Sequence, residues 1–218
     1  MISRKRIDEH IKFYKKIKVP DVFAENIIHI PNAANIPDTL TPKDNSKFTV
    51  LYVGRGGVEK RVHLVTAIAK EIQNRDKTIQ FEMMGDVSNA ISIADFPYIK
   101  FYGNISEEIT INKIYSGANL LLLTSDTEGF PLAIIEAMGY GCIILATPVG
   151  DIPLILKNEI NGHLFSSVLY GEKIISEGVD FILKAKTIPI IVKTFLNRIL
   201  TMLNKISVSK ILIKLIKT

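Results

Sequence analysis

Glu128 and Glu136 bracket the stretch EGFPLAIIE, two carboxylates set around a glycine, an aromatic, a proline and an apolar run. Acids that frame the start of a buried helix are costly unless something pairs with them. Pro131 suits a first helical position. The amides of Leu132 and Ala133 then fall in the unpaired first turn, at the positive end of the helix dipole, where a phosphate binds well. Glu128 stands just before this helix and Glu136 about one and a half turns in. A carboxylate accepts two hydrogen bonds from a vicinal diol, the group a ribose presents. The plainer alternative makes Glu128 a complement to the helix dipole and Glu136 a surface acid. The apolar, glycine-rich setting of Glu136 in PLAIIEAMGYG speaks against it.

A second loop, VGRGGVEKR (53–61), concentrates glycine and positive charge. Gly54, Gly56 and Gly57 allow close backbone approach, while Arg55, Lys60 and Arg61 are cationic. Arg55 and Lys60 lie five apart across a flexible turn, so both can reach one diphosphate, arginine as a fork and lysine as a point charge. The loop is not a Walker motif, and no acid sits at the usual distance for binding a dinucleotide ribose. Taken alone it reads equally well as a solvated basic turn.

The elements that must carry these loops follow from periodicity. KFTVLYVG (47–54) is a near-continuous apolar run ending in glycine, as expected of a strand buried on both faces. VHLVTAIAKEIQN places Leu64, Ile68 and Ile72 in helical phase. TIQFEMMGD and YIKFYGN are strands ending at glycine, 106–117 is a helix, and ANLLLLTS is a fourth strand. PLAIIEAMGYG is a helix stopped by glycine, CIILATPVG a fifth strand and NGHLF a short sixth. Alternating strands and helices, with glycines where strands end, describe an α/β doubly wound parallel sheet. Ligands of such sheets bind outside the carboxyl ends of the strands, which selects loops 54–60, 85–89, 103–106, 125–132 and 147–151. Upstream, residues 4–18 read as an amphipathic helix ended by Pro20, and Ile27–Ile30 as a short strand before a proline-broken loop.

At 47% hydrophobic residues and a mean hydropathy of +0.24, the chain can build a sizeable core. Its single cysteine, Cys142, lies in the apolar run GCIILA, which excludes a disulfide framework, reads as a small buried hydrophobe and fits a cytosolic setting. MISRKRIDEH has no apolar core of signal-peptide length behind it, and no window reaches the roughly 18 apolar residues of a membrane span. The expected protein is soluble or lies on a surface. The net charge of +5 is uneven: from Phe181 to Thr218 there are eight basic residues and no acidic one. A uniformly basic nucleic-acid binder would not divide its charge this way.

GR-x4-K after the first strand, then E-G-F-P-x4-E-A-M-x-x-G, an apolar strand and TPVGDIP, together resemble the nucleotide-binding domain of the retaining family 4 glycosyltransferases, enzymes of the two-domain GT-B fold. IIHIPNAAN resembles the segment that enters that domain. The resemblance covers roughly residues 25–167 and is most specific in the paired glutamates with their E-A-M context. It implies that Arg55 and Lys60 hold the donor diphosphate, that Glu128 lies beside the donor sugar, and that Gly129, Phe130, Pro131 and Leu132 offer backbone to sugar and phosphate. It further implies that Glu136 grips the ribose hydroxyls, with Gly54 in the phosphate loop, and that Gly85 with Asp86, and Gly103, Asn104 and Ile105, border the base. Arg, Lys and a helix N-terminus neutralise the diphosphate in such enzymes, so no divalent metal or other cofactor is expected. No His, Cys, Asp and Glu cluster with metal spacing argues otherwise. Three positions differ from the family's pattern: EGFP for EGFG, EKR for EKG, which puts a side chain at Arg61 where a turn is usually bare, and GDV for GDG.

The implied organisation is an N-terminal helix, strand and linker (1–42), a donor-binding domain (43–170) and basic C-terminal helices (171–218). An acceptor-binding N-terminal domain of similar size, expected in the family, has no counterpart here. An excised domain, a truncated gene and a subunit completed by a partner all remain open. The expected role is the donor half of a hexosyltransferase acting with retention on a glycan or lipid-linked acceptor, with a uridine diphosphate donor the commonest type. The alternative is a non-catalytic or partner-dependent nucleotide-sugar-binding module. A dinucleotide-binding or flavodoxin-like domain ranks below both, because GRGGVEK lacks the G-x-G-x-x-G spacing. The stripe Ile199, Met202, Leu203 and Ile206 in the tail reads first as a helix packed back on the domain, and second as contact with an anionic membrane at its cytoplasmic, inner face. Basic residues without interleaved aromatics argue against nucleic acid.

Overall fold

The computed structural model describes residues 9, 11–13, 15–18, 43, 44, 46–129 and 131–187. Six strands, β1 (Phe48–Val53), β2 (Ile79–Met84), β3 (Ile99–Phe101), β4 (Leu120–Leu123), β5 (Ile143–Ala146) and β6 (Gly162–Leu164), form one sheet in the order β3-β2-β1-β4-β5-β6. Every adjacent pair is parallel, with Phe48 opposite Ile79, Val50 opposite Leu120 and Leu120 opposite Ile143. The expected doubly wound parallel sheet is therefore the observed fold.

The helices are α1 (Val62–Arg75), α2 (Glu108–Gly117), α3 (Leu132–Gly139), the single-turn α4 (Ile152–Ile155) and α5 (Gly171–Thr187). β1 and β4 run through the middle of the sheet and are buried almost end to end, which is why FTVLYV and LLLL lack polar alternation. α1 lays Leu64, Val65, Ile68, Ala69 and Ile72 onto the sheet, the i, i+4 stripe its sequence predicts. α5 packs back on α1 through Ile174, Val179 and Ile182. The fit is close: a Cβ on Gly178 would come within 2.7 Å of Ile68 Cδ1. Ile68 is fully buried, and Ile68→Ala would cost about 2–5 kcal/mol through lost burial and a cavity.

Three features were not anticipated from periodicity. α4 is one of them. The others are 3-10 turns at Val58–Lys60 and Ile93–Asp95. The first turns the expected flexible loop into a defined bend. Helix α3 also starts at Leu132 and not at Pro131, whose carbonyl instead receives the amide of Ile134 at 3.2 Å. Residues 9, 11–13, 15 and 16 are helical, in keeping with the expected N-terminal helix. The expected strand at Ile27–Ile30 and the stripe from Ile199 to Ile206 lie outside the described residues. Among the described residues no helix is long and apolar enough to cross a membrane. Cys142 is buried as expected.

Candidate functional site

The strand order reverses between β1 and β4, and the right-handed crossover rule of parallel sheets sends the connections on either side of such a reversal to opposite faces. A crevice therefore opens above their carboxyl ends, which is where such sheets bind ligands. The two chemistry-bearing loops, 54–61 and 124–129, both emerge there.

They are joined by an ion pair. Lys60 Nζ lies 2.7 Å from Glu128 Oε1, and Ser125 Oγ donates to the same oxygen at 2.7 Å. The lysine side chain is 21% exposed and the glutamate 9%, so the pair is largely withdrawn from water. Around it the backbone is stitched: the Asp126 amide donates to the Glu59 carbonyl at 2.9 Å, and Thr124 Oγ1 donates to the carbonyls of Lys60 and Arg61.

Arg61 belongs to the scaffold and not to the cationic lining. It adopts φ +47°, the left-handed conformation that explains why a bare residue suits this turn. Its guanidinium donates to the carbonyls of Thr124 at 2.7 Å, Val168 and Ser125. The charge that seemed extra on the loop thus ties it to β4 and to the segment before α5.

Arg55 takes a different partner from Lys60. Its guanidinium, 77% exposed, pairs with Glu59 at 3.0 Å. The Glu59 carboxylate folds over Gly57, where a Cβ would meet it at 2.4 Å. The Glu59 amide, then the Arg55 guanidinium, hold this carboxyl below its usual value. Beneath the loop the buried Tyr52 hydroxyl donates to the Arg55 carbonyl at 2.9 Å, and burial followed by the Glu128 charge pushes that phenol upward.

The glycine-ended strands meet as the sequence suggests. The Gly54 amide donates to Met84 O at 3.0 Å and the Gly85 amide to Gly103 O at 2.8 Å. Gly85, at φ +116°, could carry no side chain, because its Cβ would fall 2.2 Å from Gly54 O. Asp86 is drawn to Asn104, whose Oδ1 accepts the Asp86 amide at 3.1 Å, while Ser88 holds the Asp86 carboxyl below its usual value. Ile105 packs partly against the core. The 147–151 loop closes the far side: the Asp151 amide donates to Gly129 O at 2.9 Å, and a Cβ on Gly150, at φ +57°, would lie 2.2 Å from Glu128 O.

Leu132 opens α3 with its side chain 46% exposed, after Pro131 and with no side-chain cap, so the first-turn amides have no capping side chain. Phe130 lies outside the described residues. Glu136 sits further along α3, half-buried, and the partner its position demanded is Tyr115, whose hydroxyl donates to Oε2 at 2.6 Å. Sequence reading missed Tyr115, Ser125 and the bracing role of Arg61. Ser125 had one faint signal, its place three residues before Glu128 in a turn; Tyr115, on another helix, had none. Among the described residues no three His, Cys, Asp or Glu side chains cluster as a metal site would require.

Comparison with known proteins identifies the family and supports the fold. Residues 47–176 match the family model described as glycosyl transferases group 1. A human phosphatidylinositol N-acetylglucosaminyltransferase subunit is 28% identical over 185 residues, covering 76% of this chain and 37% of its own length. Among solved structures, a Staphylococcus aureus TarM mutant in complex with fondaparinux, alpha-GlcNAc-glycerol and UDP superposes with a TM-score of 0.64 at 20% identity, over 88% of this chain and 38% of that one. The C-terminal domain of a group 1 family glycosyl transferase from Francisella tularensis superposes with a TM-score of 0.58 at 20% identity, over 71% of this chain and 85% of that one. The chain spans about a third of the length of the first curated relatives it matches. A basic loop and a glutamate-bearing helix start facing each other across the switch point of a parallel sheet, matched over more than half its length by one family model, make this chain a member of the group 1 glycosyl transferases.

Proposed function

We propose that this chain is the donor-binding half of a retaining hexosyltransferase of the family 4 type, moving a sugar from a nucleoside-diphosphate donor to a glycan or lipid-linked acceptor. One observation carries the reading: Lys60 and Glu128 meet at 2.7 Å in the crevice, beside the uncapped start of α3. Lys60, Arg55 and the first amides of α3 offer positive charge to the diphosphate, which is the leaving group. Glu128, held by Lys60 and Ser125, is fixed where the donor sugar would sit, so binding the diphosphate and orienting the sugar share one lysine. Glu136 takes the ribose hydroxyls, and Gly85, Asp86, Gly103, Asn104 and Ile105 border the base. The charge comes from the protein itself, so the reaction asks for no metal.

Uridine is the favoured base, supported by the UDP held in the TarM structure. A lipid-linked acceptor is supported by the name of the human relative, and work at an anionic, cytoplasmic membrane face by the basic tail. The donor unit comprises residues 43–170, flanked by 1–42 and 171–218. Thermal unfolding of the full chain with UDP, GDP, ADP and their sugar conjugates, beside Glu136→Ala, tests the reading. Ligand at a hundred times its dissociation constant should add about 2.7 kcal/mol, a rise of several degrees that one nucleotide produces and the variant loses. No shift with any nucleotide would sink it.

A second reading, a binding module that works only with a partner, is favoured by the human relative's being one subunit of its transferase. Under it the nucleotide shift persists, but no sugar is released from the bound donor over hours.

A further inference from the structure

We infer that Tyr115 is a positioning residue for Glu136, fixing its carboxylate so that the site selects a ribose over a 2′-deoxyribose; this rests on the reading of Glu136 given above. Tyr115 lies on α2 and Glu136 on α3, 21 residues later, and the bond between them is 2.6 Å. That length belongs to the strong class of O–H···O⁻ bonds. The two residues are unequally mobile. Tyr115 is fully buried, and its ring stacks on that of Tyr140 at 5.4 Å and 11°. Tyr140 in turn donates from its hydroxyl to Asn112 Oδ1 at 2.5 Å, closing the clamp back onto α2. Glu136, only half-buried, would otherwise sample several rotamers.

The direction of control therefore runs from tyrosine to glutamate. Burial, and then the bond to Glu136, push the Tyr115 phenol far upward, so it stays a donor at any physiological pH. A hydroxyl buried without a partner is costly, and the Glu136 carboxylate supplies one. With Oε2 anchored, rotation about the carboxylate stops and Oε1 is the oxygen presented to a ligand hydroxyl. A ribose meets a prearranged acceptor, and the ordering cost has been met in folding. Tyr140, three residues beyond the glutamate helix's Ala137, completes the clamp through its stack on Tyr115.

The test compares UDP with 2′-deoxy-UDP, and the guanosine and adenosine pairs likewise, on the wild-type chain, Tyr115→Phe and Glu136→Ala. The wild type should bind one ribonucleotide about tenfold tighter than its deoxy form, an increment typical of one well-placed hydrogen bond. Tyr115→Phe should lose most of that ratio by weakening the ribonucleotide alone, leaving the deoxy form within about twofold. If Tyr115→Phe weakens both forms equally, or neither, while Glu136→Ala abolishes the ratio, Tyr115 is a core residue and the inference is overturned. If the wild type shows no ratio, or Glu136→Ala keeps it, the ribose role of Glu136 fails and takes this inference with it. Should Tyr115→Phe not fold, Tyr140→Leu removes the ring that stacks on Tyr115 instead; an unchanged ratio there also overturns the proposal.

Discussion

Lys60 and Glu128 form a 2.7 Å ion pair across 68 positions of sequence, and they do so because β1 and β4 are neighbours in the sheet. Each residue limits what the other can do. The lysine is kept from free solution by the glutamate, and the glutamate, 9% exposed, is tolerated in that place because of the lysine.

Removing one member should therefore hurt more than removing both. Lys60→Ala leaves a carboxylate with one hydroxyl partner and should cost about 1–3 kcal/mol, below the value for a fully buried pair. Lys60→Met with Glu128→Gln should recover part of that stability in denaturant unfolding. Neither variant should keep the nucleotide-induced thermal shift. A double variant less stable than the single would show the pair to be structurally unimportant.

Glu59 pairs with Arg55 and lies over Gly57, so under the proposed function it competes with a ligand phosphate. Glu59→Gln removes the internal anion and should tighten nucleoside diphosphate several-fold, with a smaller gain for the uncharged nucleoside. Titration calorimetry reads both. Weaker diphosphate binding would mean that Glu59 organises the loop for its ligand.

At Arg61 two effects oppose each other. Glycine would relieve the left-handed conformation, worth about 1–2 kcal/mol. It would also delete a guanidinium that donates to three carbonyls, where a hydrogen bond to a charged group is worth about 1.5–3 kcal/mol. The second effect wins, so Arg61→Gly should lower stability by about 1–3 kcal/mol and loosen the phosphate loop. A rise in melting temperature would refute the bracing role.

Lys186 bonds Asp76 at 2.5 Å and pins the end of α5 to the turn between α1 and β2. That bond, with those from Thr78, pushes the Asp76 carboxyl down to about 2 from 3.8. A carboxyl lowered by folding stabilises above its unfolded value and loses that contribution as pH falls through the folded one. The advantage of wild type over Asp76→Asn should thus be complete above about pH 5 and fade between about pH 4 and 2. The two side chains keep 32% and 23% of their surface in water, so solvent screening should hold the difference under about 1 kcal/mol. A difference that is constant with pH would assign the effect to packing.

Much of the fold is written locally. The unbroken apolar runs of β1 and β4, the i, i+4 stripe of α1 and the glycines closing the strands depend on neighbours a few residues away, and they predict the alternating elements and the loops that carry chemistry. The charged candidates are legible too: Glu128 and Glu136 are too costly to leave unpartnered at the start of a buried helix, and Lys60 stands out by its place in a basic, glycine-rich loop. Their partners are not legible. That Lys60 meets Glu128 while Arg55 turns to Glu59, that Arg61 braces three carbonyls, and that Tyr115 holds Glu136 all depend on which strands and helices lie side by side. Sequence by itself determined which groups needed partners; only the order of strands in the sheet, a product of packing over the whole domain, decided which partner each received.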